Sequence, residues 1–378
     1  MKIKVDRKDL ARILEMASVI ADRKSPMDIV HNIKIDTVEN SSKIMISATD
    51  LNMFYSAILD ADISEDGAVT IPAKTIFDSI RRMDDGKVLF ELKGDQVKVK
   101  SGRAKLKFLT MPSEDFPIIP SYSEVDFFEI DSSLLSTMID QTAFSMCSDT
   151  TRYNINGALF QSENSRMRMV TTDGHRLSKS EYSVECLCGD FSVTIPYKAI
   201  VEIKHLAKGI GRVFFGFNDN LVFFKIKNEK SEIIFSSKLI EDDFPSYRLV
   251  IPALNDEYIA VSRQKFIDSL KRMIVISEDS NFGIKLELSD GLISIKAQNI
   301  AIGKGSDSID VSYSGDLLSV GLNARYMLDV LNALKDDEIR IRITDKFGFD
   351  AFVINGIDDS FIGLIMLEFP FQAVRIDD

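Results

Sequence analysis

Three cysteines and three histidines are all that this 378-residue chain offers to thiol or imidazole chemistry. Cys147, Cys186 and Cys188 are sparse and odd in number, which argues for a reducing compartment and against a disulfide framework. Cys186-Leu187-Cys188 is too short and too isolated for a structural zinc site, which needs four ligands. His31, His175 and His205 lie far apart, and neither HExxH nor G-x-S-x-G occurs. GxxxxGK[ST] is absent, and no G-x-G-x-x-G follows a strand, so two common phosphate cradles are excluded. No apolar run approaches the roughly 18 residues of a membrane-spanning helix. The N-terminus carries no signal-peptide core, and the expected location is cytoplasmic. Linkers rich in proline, glycine or serine are also missing. Domain boundaries must therefore fall inside short connections, best near Pro120 to Val125 and near Pro252 to Asp256.

What is present repeats three times. Ile3-Lys4-Val5-Asp6 runs into Leu10, Ile13 and Leu14. Phe128-Glu129-Ile130-Asp131 runs into Leu134, Leu135, Met138 and Ile139. Ile259-Ala260-Val261-Ser262 runs into Phe266, Ile267 and Leu270. The spacing between copies, roughly 125 and roughly 131 residues, is an ordinary domain length. A second strand–helix element recurs as Val69–Lys74, Val193–Lys198 and Val320–Arg325, each followed by apolar residues at helical spacing. Pro72 and Pro196 sit at helix starts, where a missing N–H costs little. Asp6, Asp131, Ser262 and Asn323 are the expected N-caps. Between these elements lie alternating runs such as Lys43–Ser47 and Ile284–Leu288, punctuated by the Asp-Gly pairs at 66, 85, 173 and 290. The pattern predicts an α+β protein of three similar domains, 1–124, 125–253 and 254–378. Each would hold two strand–helix halves and antiparallel sheet. Three like domains read as a scaffold rather than an enzyme with one active site, and repetition invites a closed assembly.

The formal net charge is −12, from 58 acidic against 46 basic residues, which taken alone argues against nucleic acid. Binding depends on where charge sits, not on its sum. Basic residues recur on most of the equivalent helices: Arg7, Lys8 and Arg12, then Lys74, Arg81 and Arg82, then Lys198, Lys204 and Lys208. The helix from Asp131 to Ser145 has none. Acidic residues gather elsewhere, as at Glu241-Asp242-Asp243.

Val170-Thr171-Thr172-Asp173-Gly174-His175-Arg176-Leu177 is the most distinctive string. It aligns with Ser47–Leu51 in the first copy, which lacks the Gly-His-Arg. The shared fold therefore does not require His175 or Arg176, and a surface pocket edge peculiar to the second domain is expected. No serine or cysteine nucleophile accompanies Asp173 and His175, so a catalytic pair is not expected. No carboxylate cluster marks a two-metal site either. No catalytic residue, metal or cofactor is assigned.

Thr172–Leu177, Arg152–Gly157, Phe244–Arg248, Tyr326–Leu334 and the opening Met1–Val5 together resemble the bacterial DNA polymerase III beta subunits, the sliding clamps, over nearly the whole chain. The resemblance implies a head-to-tail homodimeric ring with helices lining the hole and sheets outside. Such a ring is a non-catalytic processivity factor of a DNA-directed DNA polymerase holoenzyme. It encircles double-stranded DNA without sequence preference, through weak phosphate contacts. The positions it implies for DNA are Arg23 and Lys24, then Arg7, Lys8, Arg81, Arg82, Lys198 and Lys204. For ring closure it implies Leu106 and Phe108 on one edge and Val275 and Ile276 on the other. For a pocket taking linear motifs of polymerase, clamp loader and repair proteins it implies Ile155, Thr172, Gly174, His175, Arg176, Leu177, Pro245, Val250, Tyr326, Leu364 and Met366.

The chain departs from the family pattern in two places. Leu364-Ile365-Met366-Leu367-Glu368 replaces a Met-Pro-Met-Arg type ending, and Leu249 stands where arginine is common. Residues 369–378 continue past the usual end, and Phe369, Pro370 and Phe371 suit a tail lying over the pocket as an internal competitor. Two other readings stand beside the clamp: an acidic, repeat-built adaptor that does not encircle DNA, and an enzyme acting on nucleic acid.

Overall fold

The computed structural model describes residues 1–21, 24–184, 189–208, 211–227, 231–252, 257–277, 282–315, 317–346 and 349–367. Arg23, Cys186, Cys188 and the tail 369–378 lie outside the described residues. Six α-helices occur among the described residues: α1 (Arg7–Ile20), α2 (Ala73–Ile80), α3 (Ser132–Thr142), α4 (Tyr197–Ala207), α5 (Arg263–Ile274) and α6 (Ala324–Ala333). They fall where the repeated strand–helix pattern places them.

Each helix has a local cause. In α1, Leu10, Ile13, Leu14, Ala17 and Ile20 form one buried stripe, and Asp6 accepts from the N–H groups of Lys8 and Asp9. Asp131 accepts from Ser133 and Leu134 at 2.8 and 3.1 Å. Asn323 accepts from Arg325 and Tyr326. Ser262 is the exception: its hydroxyl makes no cap bond at α5. The first helical N–H there, on Arg263, donates instead to the carbonyl of Asp337 at 2.9 Å, so a neighbouring loop does the capping.

By contacts the chain forms two compact units, residues 1–136 with 201–239 and residues 137–200 with 240–378. The first contains a five-stranded sheet ordered Asp62–Glu65, Lys2–Asp6, Lys87–Lys93, Gln96–Ser101, Ala104–Leu109. Its second sheet has eight strands, ordered Phe128–Asp131, Arg212–Phe217, Leu221–Lys227, Ser231–Lys238, Met53–Asp60, Lys43–Thr49, Asn32–Thr37, Ala68–Pro72. The second unit has a matching eight-stranded sheet: Phe191–Pro196, Gly157–Glu163, Arg166–Thr172, Arg176–Ser183, Phe361–Met366, Phe349–Asn355, Glu338–Lys346, Ile259–Ser262. A four-stranded sheet completes it: Gly303–Asp310, Leu292–Asn299, Gly283–Ser289, Leu318–Asn323. All pairings are antiparallel, as the alternating runs require.

Both large sheets cross the sequence repeats. Met53–Asp60 of the first copy pairs with Ser231–Lys238 of the second. Arg176–Ser183 of the second pairs with Phe361–Met366 of the third. A ladder shared by two copies welds half of one to its neighbour, which is why the compact units do not coincide with the repeats.

Candidate functional site

The Thr172–Arg176 turn is closed by its own side chains. Thr172 Oγ1 donates to the Arg176 carbonyl at 2.7 Å and accepts from the Gly174 N–H at 3.0 Å. Asp173 Oδ1 accepts from the N–H groups of His175 and Arg176 at 2.9 and 3.0 Å. The carboxylate therefore holds the turn's backbone through Oδ1 and the Arg176 guanidinium through Oδ2. Gly174 has φ +89°, and a Cβ there would stand 2.5 Å from Arg152 Nη2. The position needs both the left-handed backbone and the missing side chain.

Arg176 anchors this turn from below. Its Nε donates to Asp173 Oδ2 at 3.0 Å, and its Nη1 donates to Asp329 Oδ2 of α6 at 2.6 Å. Its Nη2 donates to the carbonyl of Phe144. The guanidinium lies 4.2 Å from the centre of the Tyr326 ring, a cation–π distance. A planar fork with five donors suits this four-sided setting in a way that lysine would not.

Beside the turn the sheet carries an apolar face. Leu177 pairs with Leu364, which pairs in turn with Val353. With period-two alternation these side chains point the same way. They join Leu159, Val170, Tyr247, Ala351 and Ile362 in one buried group, with half-buried Phe244, Val250, Ile251 and Met366 against it. The Met366 N–H donates to the His175 carbonyl at 2.8 Å, tying the sheet edge to the turn. Tyr247 donates its hydroxyl to Gln161 Oε1 at 3.0 Å. Behind it, Glu163 accepts from Arg168 and from Arg248 Nη2, the latter at 2.6 Å, and these bonds hold its carboxyl below the usual range.

Of the expected pocket residues, Leu177, Val250, Leu364 and Met366 thus share one apolar group. Thr172, Gly174, His175 and Arg176 form its adjoining turn, with Tyr326 stacked on Arg176. Pro245 is exposed on the segment that carries Phe244 and Tyr247. Ile155 is buried but is not part of that group. Leu249 is 68% exposed and extends apolar surface on the same segment. Phe244, Tyr247 and Asp329 enter the sequence reading only inside the strings that carry the resemblance, without a place in the pocket, and Val353 does not enter it. Period-two alternation was the available signal for Val353, but nothing local marks Asp329.

The basic residues differ among themselves. Arg7 and Lys8 both engage Asp85, Lys8 at 2.9 Å, and these bonds draw the Asp85 carboxyl below its ordinary pKa. Arg81 pairs with Asp78 at 2.9 Å, and Arg82 donates to the Asp78 carbonyl. Lys24, Lys198 and Lys204 are exposed. At the sheet edges, Leu106 and Phe108 are half-buried on the outermost strand Ala104–Leu109. Val275 is 74% exposed just past α5, and Ile276 packs over Gly305 of the outermost strand Gly303–Asp310. Among the described residues no helix is long and apolar enough to cross a membrane, and no group of histidine, cysteine and acidic side chains could hold a metal.

Three family models match in succession. They are the N-terminal domain of the DNA polymerase III beta subunit over residues 1–120, its central domain over 129–246 and its C-terminal domain over 248–368. The beta sliding clamp of Salmonella typhimurium is 31% identical, over 92% of this chain and 94% of its own length. The crystal structure of the DNA polymerase III subunit beta from Pseudomonas aeruginosa superposes with a TM-score of 0.91 at 26% identity, covering 98% of this chain and 100% of that one. A sliding clamp from Bartonella birtlesii, crystallised bound to griselimycin, superposes at 0.90 with 27% identity and the same coverage. The chain belongs to the bacterial DNA polymerase III beta subunit family, the beta sliding clamps.

Proposed function

We propose that two copies of this chain close a ring around duplex DNA, and that the apolar face beside the Thr172–Arg176 turn holds short motifs of client proteins. The protein is a sliding clamp, a processivity factor without catalysis of its own. Family membership over 92% of the chain leaves the adaptor and enzyme readings without support.

The apolar face is the observation that carries the client reading. A buried floor of Leu177 and Leu364 with a half-buried wall of Val250 and Met366 suits apolar anchors. The exposed His175 and the Thr172 hydroxyl offer polar groups at its rim. Ring closure is supported by two outermost strands with free edges: Ala104–Leu109, which carries half-buried Leu106 and Phe108, and Gly303–Asp310, beside exposed Val275. One protomer's first edge would meet its partner's second, a heterologous contact that closes on itself. For DNA, the exposed Lys198 is favoured over Arg7 and Lys8, whose charge Asp85 offsets, and Lys24 and Lys204 add exposed positive charge. Loose, partly neutralised contacts suit a protein that must slide.

The test is retention on nicked circular plasmid, with a clamp loader and ATP, before and after linearisation. Retention on circles with loss from linear ends establishes encirclement. Equal retention on both forms refutes it. In parallel, an apolar client peptide should bind the wild-type ring and fail against Leu364→Asp.

A further inference from the structure

The first unit repeats the architecture of the Thr172–Arg176 turn, with one partner missing. Thr49 Oγ1 donates to the Met53 carbonyl at 2.8 Å, and Asp50 Oδ1 accepts from the N–H groups of Asn52 and Met53. Leu51 takes φ +73°, where the second copy has Gly174 at +89°. The Lys238 N–H donates to the Asn52 carbonyl at 2.9 Å, as Met366 does to His175. In this register Met53 lies opposite Ser237, as Arg176 lies opposite Ile365. Met53 therefore stands where the second copy has Arg176.

The carboxylate that Arg176 binds has also been kept. Asp329 is the sixth residue of α6, and Glu202 is the sixth residue of α4. Asp329 receives the arginine at 2.6 Å. Glu202 Oε2 is buried without a hydrogen-bond partner among the described residues. A buried carboxylate oxygen left unpaired is costly, so its retention calls for a donor. Beside it lies a cavity of about 770 Å³, walled by Met16 and Val19 of α1 together with Tyr55, Leu206 and Ile233.

We infer that this cavity is a binding site for an alkylguanidinium, the chemistry of an arginine side chain, with the guanidinium on Glu202 and the aliphatic stem along Met16, Val19 and Leu206. The ligand supplies from outside what Arg176 supplies from within the chain at the second copy's turn. Competing cations at the wall are already engaged or screened. Arg12 donates to Ser231 Oγ at 3.0 Å, Lys227 pairs with Glu232 at 2.9 Å, and Lys208 and His205, the latter also acting on Glu202, are exposed to solvent. Glu15 on the same wall adds a second negative charge.

The probe is agmatine, titrated into the full-length protein carrying ¹³C-methyl methionine and followed by calorimetry and methyl NMR. The Met16 resonance should shift with saturation, and N-butylurea, which has the shape without the charge, should leave it unmoved. Glu202→Gln should weaken agmatine at least about tenfold, the effect of removing a charged hydrogen-bond partner. An arginine-bearing peptide that shifts Met16 with the same Glu202 dependence identifies a protein segment as the source; a shift with agmatine alone identifies a free small molecule. No Met16 shift at tens of millimolar overturns the inference, as does equal binding by Glu202→Gln with an unchanged methyl spectrum. If Glu202→Gln misfolds, Met53→Arg decides. An internal guanidinium should abolish agmatine binding, and undiminished binding by that variant overturns the site.

Discussion

Arg176 and Asp329 stand 153 residues apart in sequence and 2.6 Å apart in space. The pair links the Thr172–Arg176 turn to helix α6, and the Arg176 side chain is 11% exposed. Arg176→Ala leaves Asp173 and Asp329 without their cation and the Tyr326 ring without its stacking partner. It should cost about 2–3 kcal/mol of stability, the range for hydrogen bonds to charged groups. Arg176→Lys should recover little, because a single ammonium cannot reach the same partners. Urea denaturation of both variants, with client-peptide binding by fluorescence polarisation, tests this. Full retention of affinity in Arg176→Ala would show that the turn holds its shape unaided.

Gly174→Ala is expected to destabilise by about 1–2 kcal/mol, combining a left-handed alanine with a lost hydrogen bond. The added methyl would displace the Arg152 guanidinium, whose Nη1 now donates to the Asp173 carbonyl at 2.5 Å. Thermal unfolding measures the cost. The same substitution at Gly94, where a Cβ meets nothing within 4 Å, isolates the backbone contribution.

Asp85 restrains two candidate DNA contacts at once. Asp85→Asn should free Arg7 and Lys8 and steepen the salt dependence of DNA binding by about one to two counterions. The pH dependence follows from the depressed carboxyl. The interaction is fully present above the unfolded pKa near 3.8 and is lost as pH falls through the lower folded value. Fluorescence titrations at several salt concentrations would read the slope.

Ring closure through the two outer strands predicts that Leu106→Asp, or Val275→Asp on the opposite edge, yields folded monomers. Both side chains are already half-buried or exposed in the single chain, so the cost falls on association rather than folding. Light scattering reads the mass and circular dichroism the fold. A dimer that survives both substitutions would place the contact elsewhere.

Burial raises the pKa of Glu202, against a smaller opposing effect of His205. A raised carboxyl means that the folded state holds its proton where the unfolded chain has lost it. Stability from this group is then present below pH 4.5 and declines as pH rises through the raised value. Glu202→Gln should flatten that decline and be the more stable form at neutral pH. Arg12, Glu15, His205, Lys208 and Lys227 share the cavity wall and remain in both proteins, so the difference between the two pH profiles isolates Glu202.

Much of the fold was legible in the chain. Asp6, Asp131 and Asn323 announced their helices because a cap is a local bond, made within three residues. Ser262 looked equally suitable and caps nothing, because the Asp337 carbonyl reaches Arg263 from a distant loop. The Thr172–Leu177 string was conspicuous, yet its stabilising partner Asp329 was not, since no periodicity spans that separation. Phe244 and Tyr247 escaped assignment for a related reason. Phe244 lies in irregular chain and Tyr247 opens a single 3₁₀ turn, and burial of such short segments against a sheet face leaves no repeating pattern. The apolar floor of Leu177 and Leu364 was named through resemblance, and strand register explains why those two meet.

The ladders that cross the repeats have a practical consequence for anyone who cuts the gene. A fragment ending at the first repeat would leave Met53–Asp60 with an open hydrogen-bonding flank, and one beginning at the third would do the same to Phe361–Met366. Such flanks recruit other strands, so single-repeat fragments should aggregate. The chain is three copies to read, but its strands are shared property, and no copy can be lent out alone.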